Sequence, residues 1–306
     1  MKSRLFALAA SFAFCGFLVC GTQSRVLSQD LRNLLQVPSK RPSAADKETY
    51  TPEKLQKFFR TEAGSYEIEV VGTKAKLQLR EEPLLNWHNP ERLLEQGSFF
   101  VWMDGLRPAV VGSIFTYQYN GQVYRRHEIA SLISESLLAR LEGQEVWKPK
   151  PAELIGTIVA EDLEPAETLP RRLTQMRTIA RDVSGLHIPP DKGSKALELK
   201  PQPLVRYQDA DRGIIDGALF ALSVGTDPEI LVMIEARNTG NSRKWHLVAF
   251  RSHFEGLEMS YKGQPVWNAA PVPILASTGP LQMPYAMEPY FTFSPAKRLP
   301  PAGLLK

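Results

Sequence analysis

The chain has 306 residues, of which 43% are hydrophobic and 23% charged, so it is long enough for two ordinary globular domains. Its 37 Lys and Arg against 33 Asp and Glu give a net charge of +4, and Lys and Arg form no run of five or more. A basic surface of the kind that binds phosphate backbones is therefore excluded, and no nucleic-acid partner is expected.

Residues 1–21 have the pattern of a secretory signal peptide. Lys2 and Arg4 precede an apolar run at 5–20, and Gly21 marks the expected cleavage point. The run is shorter than the roughly 20 apolar residues that span a bilayer. We therefore predict an exported protein, periplasmic or extracellular. Membrane contact is expected only through an uncleaved N-terminus or a lipid anchor at Cys20, although Val19 stands where a lipobox has a small residue.

The two cysteines, Cys15 and Cys20, both lie in this apolar run. Cleavage after Gly21 leaves the mature chain with no thiol, disulfide or cysteine metal ligand. Residues 22–50 are predicted to be a spacer.

The first α+β repeat is assigned to residues 51–149. Thr51 followed by Pro52 is typical of a helix start, and Gly64 is expected to end that helix. Alternating apolar residues with turns at Gly105 and Gly121 then predict antiparallel hairpins. Residues 150–168 are predicted to be a linker.

The second α+β repeat is assigned to residues 169–269. Pro170 opens its helix, which Gly185 is expected to end, and apolar runs follow as in the first repeat. The tail, 270–306, is rich in proline. Its apolar residues 290–293 are expected to pack against the body, the alternative being a disordered tail.

A shift of 120 residues aligns the two repeats. Residues 76–148 and 196–268 share 16 identities over 73 gapless positions, where average composition gives about 5 by chance. The shared residues are mainly glycines, prolines, a tryptophan and aliphatic residues, which determine turns and cores. We therefore predict an α+β fold made of two tandem copies, each a helix with about six antiparallel strands, related by internal duplication.

The segment GALFALSVGTDPEILVMIEAR at 217–237, with KWH at 244–246 and QMRTIARDVSG at 175–185, resembles a family of exported proteins of planctomycete-type bacteria. The resemblance implies export. It implies no chemistry, because that family has no assigned activity.

The sequence contains no recognised catalytic or metal-binding motif. The histidines form no HxH or HExxH pattern, and GxSxG is absent, so neither a catalytic residue nor a metal or other cofactor is expected. His127 and His246 lie one residue out of register between the copies. They form either a two-histidine site between the copies or one structural histidine in each. The sequence neither indicates nor excludes paired carboxylates for glycoside hydrolysis, because spacing along the chain does not reveal such pairs.

One strand differs between the copies in charge. Where the first copy has Phe115 and Tyr117, the second has Glu235 and Arg237, which alternation places on one face of the strand. The candidate ligand-binding residues are Glu235, Arg237, His246 and, as an aromatic wall, Trp245. The alternative is an ion pair at the rim of the sheet.

The sequence favours a non-enzymatic binding or interaction module for an unknown protein or small ligand. The alternative function is a hydrolase with a carboxylate-based site in the second repeat.

Overall fold

A computed structural model describes residues 50–89, 95–119, 122–151, 156–240, 242–272 and 289–293. The predicted signal peptide, the rest of the spacer before residue 50 and most of the tail lie outside these residues. The described residues all belong to one compact unit, Lys40–Lys306. Among them, no helix has the length and apolar character needed to cross a bilayer.

The first half of the described chain contains one helix and eight strands. The helix α1 spans Pro52–Gly64. The strands are β1 (Tyr66–Val70), β2 (Gln78–Leu79), β3 (Leu85–His88), β4 (Gln96–Asp104), β5 (Arg107–Tyr119), β6 (Gln122–Ser131), β7 (Leu137–Leu141) and β8 (Gln144–Trp147).

The second half has a similar order of elements and is preceded by the short strand β9 (Thr157–Val159). The helix α2 spans Leu169–Arg181, and a 3₁₀ helix spans Ala210–Arg212. The strands are β10 (Val183–Ile188), β11 (Lys195–Ala196), β12 (Glu198–Leu199), β13 (Val205–Asp209), β14 (Ile214–Val224), β15 (Asp227–Thr239), β16 (Ser242–Arg251), β17 (Gly256–Tyr261), β18 (Gln264–Ala269) and β19 (Tyr290–Phe293).

The helices begin where the sequence predicts. Thr51 Oγ1 accepts a hydrogen bond from the Lys54 backbone N–H at 3.4 Å, and Leu55, Phe59 and Ala63 form the buried face of α1. The predicted end of α2 at Gly185 is wrong, because the helix ends at Arg181 and Gly185 lies in β10. A Cβ atom at Gly185 would lie 3.1 Å from three core side chains, so this glycine permits close packing.

Each half has one large and one small antiparallel sheet. In the first half, β5 is flanked by β4 and β6, with β2 and β3 beside β4, while β1, β7 and β8 form the small sheet. In the second half, β15 is flanked by β14 and β16, with β12 and β13 beside β14. The small sheet there has the order β11, β10, β17, β18. The fold is therefore α+β and largely β.

The two large sheets pack face to face, and each is covered on its outer face by its own helix and small sheet. Alternate residues of β4 therefore pack into two different cores. Phe100 and Trp102 join the core beneath α1, whereas Phe99 and Val101 join the core shared by both halves. In β14, Phe220 lies in the core beneath α2, and Leu219 faces the first half.

Several elements of the two halves have the same length. The helices contain 13 residues each, as do β5 and β15. These two strands begin at Arg107 and Asp227, 120 positions apart. The number of strands in each half exceeds the predicted six because of short additional strands, which are β2 and β3 in the first half and β11, β12 and β13 in the second.

The segment that follows each half adds a strand to the other half. Strand β9, which follows the first half within the predicted linker 150–168, pairs with β16, with Ile158 opposite His246. Strand β19, which follows the second half within the tail, pairs with β6, with Thr292 opposite Glu128. Each added strand covers part of a sheet edge that the receiving half leaves open.

Candidate functional site

The predicted cluster around Glu235 forms only in part. Glu235 and Arg237 alternate on β15 and therefore share a face, and His246 on β16 is the register partner of Glu235. Trp245 lies on the opposite face, fully buried in the core beneath α2. It therefore does not line the surface that carries Glu235.

Glu235 is fully buried between the two large sheets and both of its oxygens are engaged. Tyr207 donates its hydroxyl proton to Oε1 at 2.5 Å, and Arg107 of the first half lies 3.5 Å from the same oxygen. Arg237 donates Nε–H to Oε2 at 2.7 Å. Burial and this carboxylate raise the pKa of Tyr207 well above its usual range, so the hydroxyl stays protonated. The arrangement is that of a buried ion pair joining the halves.

His246 forms no hydrogen bond with Glu235, and its buried Nε2 atom has no hydrogen-bond partner among the described residues. Burial lowers the pKa of His246, the charge of Arg237 lowers it further, and Glu235 opposes both effects.

His127 has a different environment, in the core beneath α1. There its Nδ1 lies 2.6 Å from the Tyr66 hydroxyl and its Nε2 3.3 Å from Glu62. The two histidines face different cores, so they do not form a shared site.

A second cluster, which we call the His–Glu cluster, comprises His187, Glu229, His253 and Glu255. His187 lies on β10 and Glu229 near the start of β15, while His253 and Glu255 lie between β16 and β17. All four are at most 9% exposed. This group was not predicted from the sequence, since its members lie on separate elements.

The members of the His–Glu cluster are in direct contact. One ligand atom from each of His187, Glu229 and His253 lies within 4.8 Å of the other two. His253 Nδ1 is 3.4 Å from Glu229 Oε2, and His187 Nε2 is 2.5 Å from Glu255 Oε2. The two imidazole rings meet edge to face at 4.9 Å between centroids. Such a group of two imidazoles and a carboxylate can hold a metal ion.

Arg251 fixes the loop that carries two members of the cluster. Its guanidinium donates hydrogen bonds at 2.7–2.9 Å to the backbone oxygens of His253, Phe254, Glu255 and Ala270. Phe254 also stacks on the His253 ring at 4.3 Å. The positions of His253 and Glu255 are therefore determined by backbone contacts as well as by the cluster itself.

The corresponding positions of the first half are apolar. Val70 pairs with Leu137 in β1 and β7, as His187 pairs with Leu257 in β10 and β17. Likewise the backbone bond from Leu132 N–H to Ala109 O matches that from Ser252 N–H to Glu229 O, both at 2.8 Å. The residues in place of His187, Glu229 and His253 are thus Val70, Ala109 and Ile133, all buried.

The fold and these clusters define a largely β, α+β protein with two matching halves and a polar cluster buried in the second. Comparisons with family models, curated proteins and solved structures find no match.

Proposed function

We propose that the protein is an exported, non-enzymatic binding module, built from two copies of one unit, in which the His–Glu cluster of the second copy is the binding site. The observation that carries this proposal is the replacement of buried Val70, Ala109 and Ile133 of the first half by His187, Glu229 and His253 in the second. Polar groups at buried positions cost stability, so their retention favours a function.

An internal duplication accounts for the matching halves. It is supported by a contact that recurs at the same positions. Gly97 lies under the ring of Trp87, and Gly217 lies under the ring of Tyr207, with room for no Cβ atom in either case. Trp87 and Tyr207 occupy the same register position on β3 and β13. The first copy is then the scaffold with an apolar core, and the second copy carries the site.

The hydrolase alternative has less support. A carboxylate that acts as base or nucleophile needs a free oxygen within reach of substrate, whereas Glu235 is fully buried and both its oxygens are engaged. Export is inferred from residues 1–21. It agrees with a module that acts on a small ligand or protein outside the cytoplasm.

A reversal variant tests the proposed function. The triple change His187→Val, Glu229→Ala and His253→Ile installs the residues of the first half. If the cluster is a binding site, the purified ligand-free variant should unfold at the same or higher denaturant concentration than the natural chain. In native mass spectrometry after expression with export, the variant should lack any bound mass that the natural chain carries.

A matched control is Leu231→Val, which also installs the residue of the first half but lies outside the cluster. It should lose about 1 kcal/mol and keep any bound mass. A triple variant that is several kcal/mol less stable than the natural chain would instead identify the cluster as part of the structural core, and would overturn the proposed function.

A further inference from the structure

We infer that the His–Glu cluster binds one divalent transition-metal ion of the zinc type, with His187, Glu229 and His253 as ligands and Glu255 orienting His187. This inference rests on the proposed function, because it names the ligand of the proposed site. The donor set is the first argument. Two imidazoles with one carboxylate suit zinc and its neighbours, whereas magnesium and calcium prefer oxygen ligands alone.

The spacing of the ligand atoms is the second argument. Ligands held at about 2.1 Å from one tetrahedral zinc ion lie about 3.4 Å from each other. His253 Nδ1 and Glu229 Oε2 are 3.4 Å apart, and the three ligand atoms all lie within 4.8 Å of one another. These separations are close to the spacing that the ligands of one ion require. The Glu255 backbone N–H donates to His253 Nδ1 at 3.2 Å, so an ion bound at this nitrogen would replace that hydrogen bond.

The hydrogen bonding of His187 is the third argument. His187 is only 5% exposed, and its Nδ1 atom has no hydrogen-bond partner among the described residues. Its other ring nitrogen, Nε2, lies 2.5 Å from Glu255 Oε2. When Nε2–H donates to this carboxylate, Nδ1 carries the lone pair that a metal ion accepts. A carboxylate that orients a histidine in this way is the usual partner of a metal-bound imidazole.

The burial of the cluster is the fourth argument. An unpaired polar atom in an apolar core is destabilising, and a metal ion would satisfy it. The three ligands come from β10, from the start of β15 and from the loop before β17. A bound ion would therefore join the small sheet of the second half to its large sheet, beside the loop that Arg251 fixes.

The test uses the purified chain, freed of metal by a chelator and titrated separately with Zn²⁺, Co²⁺, Mg²⁺ and Ca²⁺. We expect one equivalent of Zn²⁺ to bind with a dissociation constant in the micromolar range or below, and to raise the thermal midpoint. Co²⁺ should give the intense visible absorption of a four-coordinate site. Neither Mg²⁺ nor Ca²⁺ should shift the midpoint.

Five single variants test the two histidine ligands and the carboxylate that orients His187. His187→Gln and His253→Gln should each abolish stoichiometric Zn²⁺ binding, whereas Glu255→Gln should keep it with 10- to 100-fold weaker affinity. His88→Gln and His246→Gln, which change histidines outside the cluster, should bind as the natural chain does. Circular dichroism establishes that each variant is folded.

Two results would overturn the inference. One is a natural chain that takes up no Zn²⁺, and the other is Zn²⁺ uptake that His187→Gln and His253→Gln leave unchanged. Either result together with a stable triple variant would leave the proposed binding function in place and would direct the search to an organic ligand. An unstable triple variant would overturn the proposed function by itself, whatever the metal titration gives.

Discussion

The hydroxyl of Tyr207 lies 2.5 Å from Oε1 of Glu235, and the ring of Tyr207 passes over Gly217 on the strand between them. This contact positions a carboxylate that also meets Arg107 of the first half at 3.5 Å. The core between the two large sheets therefore contains a buried ionic link, and the link depends on a glycine.

Removal of the Glu235 carboxylate should destabilise the protein. Glu235→Ala leaves the buried Arg107 without its counter-charge, so we expect the free energy of unfolding to fall by about 3 kcal/mol in urea denaturation. Glu235→Gln keeps an acceptor for Tyr207 and should lose less. If either variant is more stable than the natural chain, Glu235 destabilises the fold, as residues of functional sites often do. The interpretation of Glu235 as a structural residue would then be wrong.

Addition of one methyl group at Gly217 should also destabilise the interface. The new Cβ atom would lie 2.6 Å from the ring of Tyr207, which is buried and therefore has little room to move. We expect Gly217→Ala to cost about 2 kcal/mol, measured by chemical denaturation. Gly64→Ala is the matched control, because a Cβ atom there has no neighbour within 4 Å. If the two changes have equal effects on stability, the ring of Tyr207 can move away from the new methyl group at little cost in free energy.

Glu128 should make stability depend on pH. Burial raises the pKa of Glu128 from 4.5 to about 7, although Arg126, Arg251 and Tyr290 partly oppose the rise and Glu95 adds to it. Since the folded pKa exceeds the unfolded one, the contribution of this group to stability is fully present below pH 4.5. It is lost as the pH rises through 7.

Glu128→Gln tests this dependence. The variant should resemble the natural chain at pH 5, where the buried carboxyl is protonated, and should exceed it in stability at pH 8. The difference at pH 8 should be on the order of 3 kcal/mol at most. Thermal unfolding from pH 5 to pH 8 measures it. A constant difference between the two proteins across this range would contradict the prediction.

Arg251 should determine the affinity of the proposed metal site. A lysine cannot reproduce the four hydrogen bonds that the guanidinium donates, three to oxygens of the loop and one to Ala270. We expect Arg251→Lys to weaken Zn²⁺ binding 10- to 100-fold, as measured by competition with a zinc indicator. Arg243→Lys, a change on the same strand at a residue that pairs with the exposed Glu164, should have no effect. Unchanged affinity in Arg251→Lys would show that the loop is fixed by its other contacts.

Much of the scaffold could be predicted from local signals. The turns at Gly105 and Gly225 adopt positive φ angles of 59° and 61°, as tight turns between long strands require. The interpretation of Gly185 failed because a glycine that ends a helix and a glycine under close side chains look alike in sequence. The pairing of β9 and β19 with the opposite half is long-range and leaves no local pattern.

The candidate sites show the same division. Alternation along one strand places Glu235 with Arg237, and the register that adds His246 places adjacent Trp245 on the other face. The His–Glu cluster needs three separate elements to meet, which spacing cannot reveal. One signal was nevertheless present. In the alignment with a shift of 120, Glu229 and His253 fall on the apolar Ala109 and Ile133.

The exchange of β9 and β19 has a consequence for how the protein can be divided. A fragment that ends before residue 157 would lack β19, so the backbone of β6 at residues 127–130 would be open to another chain. A second fragment that begins after residue 159 would lack β9 and would expose β16 in the same way. Neither fragment should be soluble alone, whereas co-expression of fragments that each keep their exchanged strand should restore a monodisperse particle. The two halves should therefore unfold together in one cooperative thermal transition, as the subunits of an obligate dimer do.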